Sequence, residues 1–167
     1  MLVLRAMRAD EYPDFLDYFI PDYAIEIAVN YNLEAAAAKN RAISEIEQDL
    51  PQGVNTVGHS LTCIIDFQIG VEHLLGYLWY RTNVEKSELF IYDFYVFPRE
   101  QGKGYGKEAM RLLEEEAAKS GVQQIKLRVA ANNPRAKKLY DNCGFHVTGI
   151  NMSKHIGAGM ETIDDRD

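Results

Sequence analysis

Cysteine, histidine and net positive charge are all scarce in this chain of 167 residues. Its two cysteines, Cys63 and Cys143, lie far apart and show neither metal-ligand spacing nor a disulfide framework. His59, His73, His146 and His155 are equally scattered, so no metal site is expected. A reducing, cytoplasmic setting follows as the expected location. With 25 acidic against 18 basic residues the formal net charge is −7, and nucleic acid is not expected as a partner. That balance suits a cationic substrate such as an amine, and it serves solubility as well. No apolar run is long enough to span a bilayer, so no membrane partner is expected. Met1–Arg5 reads as a short strand, with Asp10 and Glu11 soon after, rather than as a leader. What remains is ordinary globular composition, with 47% apolar residues and length enough for one domain with a proper core. That domain is expected over 1–160, with an acidic, frayed tail over 161–167 after Gly157-Ala158-Gly159.

The most informative stretch runs from Tyr92 to Lys107. Its first half crowds aromatic and β-branched residues and is closed by Pro98, which reads as a buried strand. The second half carries Gly102, Gly104 and Gly106, and a helical pattern follows at once. A strand, a glycine-rich turn and a helix start make an anion site: main-chain N–H groups turn inward and the helix end adds partial positive charge. The nucleotide P-loop pattern fails, because Gly106-Lys107 is followed by Glu108. The dinucleotide pattern fails too, because its third glycine would fall at Lys107.

Elsewhere the chain alternates helix and strand signals. Leu2–Met7 reads as an opening strand, and Asp10 is a cap candidate for a helix with Tyr12, Phe15, Leu16, Phe19, Tyr23 and Ile27 on one stripe. Pro21 predicts a kink or break inside it. A second helix is expected from about Leu33 to Leu50; the two helices either line an acceptor pocket or simply cover the sheet. Strands are expected over Leu61–Phe67, His73–Thr82 and Glu88–Phe97, with a hairpin loop over 68–72. A helix over Gly104–Ser120 and a strand over Gln123–Val129 should complete a right-handed crossover with a parallel pair. Asn133-Pro134 starts a short helix that ends at Gly144, and Phe145 opens a last strand towards Met152.

Two motifs in this order, Gln101-x-x-Gly104-x-Gly106 and Asn133-x-x-Ala136-x-x-Leu139-Tyr140-x-x-x-Gly144-Phe145, resemble those of the GNAT superfamily of N-acetyltransferases. The resemblance implies an α/β (α+β) fold. It would be a single GNAT-like domain with a mixed, mostly antiparallel sheet of about 6–7 strands, a parallel pair at the cofactor site and about four helices. It also implies acetyl-CoA as cosubstrate, an amine acceptor, no metal, and homodimers as a common assembly. The reaction would be direct acetyl transfer to the primary amine of a small molecule, a polyamine-like cation, or a peptide or protein. The alternative is a catalytically silent module that binds or senses acyl-CoA.

By that resemblance, Phe94, Tyr95 and Val96 offer main-chain groups to the pantetheine arm as an added strand would. Gln101, Gly102, Lys103, Gly104, Tyr105, Gly106 and Lys107 surround the pyrophosphate, and Asn133 is a cofactor contact as well as a helix cap. Tyr140 corresponds to the tyrosine that protonates the leaving thiolate. An ammonium near pH 10 must lose a proton before attack, so a base is needed. The strand position that commonly holds glutamate in the family is Tyr92 here, which leaves Glu88 and Asp93 as the candidate bases. Strict alternation would place Glu88 on the Tyr92 face and Asp93 on the other.

Overall fold

Residues 61–66 and 75–80 are buried without interruption, which demands that the sheet they build be covered on both faces. The computed structural model, which describes residues 1–157, meets that demand with three layers. Strands β1 (Leu2–Ala6), β2 (His59–Gln68), β3 (Val71–Asn83), β4 (Glu88–Val96) and β5 (Gln124–Leu127) form one sheet in that order. The first four pair antiparallel, and β5 runs parallel to β4. Helices α1 (Tyr12–Tyr31) and α2 (Ala35–Asp49) cover one face, where Phe15, Phe19 and Ile46 pack on Cys63, Ile65, Tyr77 and Trp79. Helices α3 (Tyr105–Lys119) and α4 (Pro134–Asn142) cover the other, with Met110, Leu113 and Tyr140 against Leu78, Leu89 and Ile91.

Several expectations change. The sheet has five strands among the described residues, because Phe145–Met152 does not join it. Val147, Ile150 and Met152 are exposed there, so no buried face rewards pairing, and Gly149 and Asn151 interrupt the alternation. Helix α1 runs unbroken through Pro21. The proline sits on its exposed side, while Phe19, Ala24 and Ile27 bury the turns before and after it. Glu11, not Asp10, serves the start of this helical stretch, accepting the Arg8 N–H at 2.7 Å and the Arg5 guanidinium at 2.7 Å. The β2–β3 connection shrinks to Ile69-Gly70, both at positive φ. The acidic 161–167 segment lies outside the described residues.

One irregularity positions the site. The β3–β4 register shifts between Trp79 and Tyr80, so that Trp79 pairs with Asp93 and Tyr80 with Ile91. Tyr92 is therefore the extra residue of a β-bulge. Nearby, β3 and β4 approach so closely at Gly76 that a Cβ there would lie 1.9 Å from the Tyr95 carbonyl oxygen, which only glycine avoids.

Candidate active site

The parallel pairing of β4 with β5 covers only Glu88–Ile91 against Gln124–Leu127. Beyond Ile91 the two strands part, leaving the second half of β4 with an unpaired side towards β5. Phe97 donates its N–H to Leu75 on β3 at 2.8 Å, so alternation turns the main-chain groups of Tyr95 towards β3 and those of Phe94 and Val96 into the opening. This narrows the sequence expectation: Phe94 and Val96 have main-chain groups to offer there, whereas Tyr95 spends its own on the sheet. The Tyr95 ring instead stacks on Tyr18 of α1, with centroids 3.7 Å apart.

The glycine turn closes the end of this opening. Gly102 and Gly104 take φ of +79° and +87°, and Gly104 is the N-cap of α3. Open space surrounds the point where a Cβ would stand at each, so conformation, not crowding, requires glycine there. Gly106 is different: its missing Cβ would meet Leu139 Cδ2 of α4 at 3.2 Å. Gln101 braces the turn by donating from Nε2 to the Val96 carbonyl at 2.7 Å, which occupies one of the acceptors in the gap. Lys103 is ion-paired with Glu100 at 2.9 Å, while Lys107 makes no ion pair among the described residues and borders an open hollow with Gly104 and Arg111. Tyr105 begins α3 and packs against Val96 and Ala109. Asn133 caps α4, its Oδ1 accepting the Ala136 N–H at 3.1 Å.

On the α1–α2 side lies a cavity of about 230 Å³, and Asp93 forms part of its lining. The bulge brings Tyr92 and Asp93 to the same cavity, which overturns the opposite-face expectation from strict alternation. Tyr18 donates its hydroxyl hydrogen to Asp93 Oδ1 at 3.1 Å, and Asp93 Oδ2 is buried with no hydrogen-bond partner. Burial raises the carboxyl from 3.8 to about 7; the Tyr18 bond opposes this, and the charges of Asp22 and Glu26 add to it. Asp22, Glu26, Glu45 and Asp49 line the same space, with Arg128 the one basic residue in the lining. Trp79 and Tyr92 stack there at 4.7 Å. Both front helices thus contribute to the cavity as well as covering the sheet.

Tyr140 is 9% exposed and lies beside Phe94 and Phe145, with centroids 6.4 and 5.6 Å away. Burial raises its hydroxyl well above the ordinary phenol range, and the nearby Asp93 charge adds to the effect, so it stays a neutral donor. Asp93 is near enough for its charge to act on the Tyr140 hydroxyl, and it lies on β4 just beyond Ile91, where the pairing with β5 ends. Glu88 does not join them: it sits at the far start of β4, bound to Lys126 at 2.7 Å. Burial raises the thiols of both Cys63 and Cys143, opposite to what activates a nucleophile. Trp79 donates its indole N–H to His59 Nδ1 at 3.0 Å, and burial lowers that imidazole, keeping it neutral. No group of three or more potential metal ligands occurs among the described residues. Nor is any described helix long and apolar enough to cross a membrane.

A model of the acetyltransferase (GNAT) family matches residues 22–145, spanning the cavity, the gap, the glycine turn and α4. The chain belongs to the GNAT family. The uncharacterized N-acetyltransferase YycN of Bacillus subtilis is 29% identical over 160 residues, covering 93% of this chain and 99% of that protein. The YycN crystal structure superposes with a TM-score of 0.85 at 30% identity, again over 93% of this chain and 99% of that one. A spermidine N-acetyltransferase from Vibrio cholerae, solved with CoA and spermine, shares the fold with a TM-score of 0.63 at 21% identity, over 89% of this chain and 82% of that one. This GNAT protein is an acetyl-CoA-dependent N-acetyltransferase. Its residues suit that cosubstrate: open amides in the Gly102–Gly106 turn, the start of α3 behind them, and a gap in the sheet edged by unpaired strand groups.

Sequence reasoning missed Tyr18, Asp22 and Glu26. Their signal was present, since positions 18, 22 and 26 recur every four residues along α1 and so share one face.

Proposed function

We propose that the enzyme acetylates a cationic primary amine, with Asp93 as the proton acceptor and Tyr140 as the donor to the leaving thiolate. One observation carries the reading: a buried carboxylate oxygen without a partner, Asp93 Oδ2, borders an acid-lined cavity at the point where the sheet opens. Phe94, Val96 and the Gly102–Gly106 amides would hold pantetheine and diphosphate, placing the thioester between Asp93 and Tyr140. The ammonium gives one proton to Asp93. Its nitrogen then attacks the thioester carbonyl carbon, the C–S bond breaks, and the second proton reaches sulfur through Tyr140.

The raised Asp93 makes the first step feasible. Taking a proton from an alkyl ammonium near pH 10.4 with an ordinary aspartate near 3.9 is uphill by about 9 kcal/mol. With the carboxyl at about 7 the gap falls to about 5 kcal/mol. Glu88, held by Lys126 away from the opening, has no such role in this scheme. Asp93 also weakens the sensor alternative, because a carboxylate stands beside the position where Tyr92 replaces the usual glutamate.

The experiment is release of CoA thiol from acetyl-CoA with a panel of primary amines and lysine-containing peptides. Turnover with amines, absent from Asp93→Asn, supports the assignment. Acetyl-CoA binding without turnover on any amine would return the protein to the sensor reading.

A further inference from the structure

Tyr92 forms part of the wall of the cavity beside Asp93, and something must hold its ring there. As the extra residue of the β-bulge it has no residue directly opposite on β3, and it is 37% exposed. Three rings bracket it. Trp79 stacks on it with centroids 4.7 Å apart and 15° between the planes, and Phe90 meets it edge-on at 5.0 Å. His59 approaches it to 5.4 Å. Trp79, Phe90 and Tyr92 line the cavity, whereas His59 stands outside the lining.

The support for Tyr92 runs back to His59. Trp79 is 2% exposed, with Phe15 and Phe19 edge-on to it at 6.5 and 5.6 Å. Those rings hold its plane, and its one polar atom, the indole nitrogen, donates to His59 Nδ1 at 3.0 Å. The two residues are diagonal neighbours, because His59 at the start of β2 pairs with Arg81 while Leu61 pairs with Trp79. An indole nitrogen is a donor only, so this bond needs a neutral imidazole with its proton on Nε2. A protonated ring would donate from both nitrogens and leave the buried indole N–H without an acceptor. Burial, and then the charge of Arg81 on β3, disfavour that protonation, while Asp49 at the end of α2 favours it. Tyr92 is the titratable neighbour on β4.

We infer that His59 is a positioning residue for the acceptor: it fixes Trp79, Trp79 fixes Tyr92, and protonation of His59 loosens that wall of the cavity. This rests on the reading of the same cavity as the acceptor site of an N-acetyltransferase. His59 acts on how well the acceptor is held, so its protonation raises the acceptor KM. Asp93 acts on proton transfer and titrates at about 7, so its effect falls on a different step and at a higher pH. Acetyl-CoA, held by Phe94, Val96 and the glycine turn, binds as before.

Trp79 is the single tryptophan of the chain, so its emission reports this contact directly. In the full-length protein without ligand, the emission should change with a midpoint below pH 6.5, and the transition should persist in Asp93→Asn. His59→Asn offers Oδ1 as an acceptor that does not titrate, and should abolish the transition. His59→Leu should show the acid-form emission at every pH. In thiol-release assays with butylamine and a lysine-containing peptide, the wild-type acceptor KM should rise about tenfold between about pH 7.5 and about pH 5.5, the scale of one buried donor losing its partner. His59→Asn should remove that rise and His59→Leu should keep KM high throughout, while calorimetry finds one acetyl-CoA affinity for all three proteins. Should His59→Leu fail to fold, the emission titration and His59→Asn still decide. No emission transition in the wild type, one that survives His59→Asn, or a KM rise unchanged in His59→Asn overturns this inference alone. If neither amine turns over at any pH, the acceptor reading of the cavity falls, and the positioning role of His59 falls with it.

Discussion

Replacing Asp93 with asparagine should slow catalysis and, above neutral pH, make the protein more stable. The Asp93 carboxyl is raised from 3.8 to about 7, first because burial strips its charge of water. At 1.36 kcal/mol per pH unit that corresponds to at most about 4 kcal/mol, and exchange of the open cavity with solvent reduces the working figure to about 2. The folded protein holds this proton more tightly than the unfolded chain. Its contribution to stability is therefore complete below pH 3.8, shrinks as pH rises, and is lost above about 7. Asparagine lacks that dependence. The variant should melt close to the wild type at about pH 3.5 and about 5 °C above it at about pH 8.5. Over the same range kcat/KM should fall by about 100- to 10,000-fold, the usual cost of losing a general base. Thermal melts at several pH values, run beside thiol release, read both effects. A melting difference that does not change with pH, or undiminished turnover, would refute the argument.

Three further substitutions probe neighbouring parts of the site. Tyr140→Phe should lower kcat by about 10- to 1000-fold while calorimetry finds acetyl-CoA affinity little changed, as loss of a proton donor requires. Tyr18→Phe removes the hydrogen bond that lowers the Asp93 carboxyl, so the acidic limb of the kcat/KM profile should move to higher pH; an unmoved limb would detach Tyr18 from the base. Gly104→Val forces a β-branched residue to φ +87°, and should abolish acetyl-CoA-induced stabilisation in a thermal-shift assay while the unliganded protein remains folded.

Much of this was readable from local chemistry. The glycines at 102, 104 and 106 after an aromatic strand announced the turn before α3, and Asn133-Pro134 announced the start of α4, because caps and turns depend on a few neighbouring residues. Other features depend on distant partners. The bulge at Tyr92 arises from pairing with Trp79 and Tyr80 on β3, so strict alternation gave Asp93 the wrong face. Pro21 looked like a break because the burial of Phe19 and Ile27, which holds α1 together, is a tertiary effect. The expected strand after Phe145 had the right residue types but no face to bury. The tie of Glu88 to Lys126 likewise exists only once β4 and β5 are side by side.

The most direct measurement is a crystal structure of the protein with CoA. The account predicts the diphosphate on the amides of Gly102 to Gly106, the pantetheine along Phe94 and Val96, and the sulfur between Asp93 and Tyr140. A diphosphate bound anywhere else, with the gap between β4 and β5 left to solvent, would contradict it.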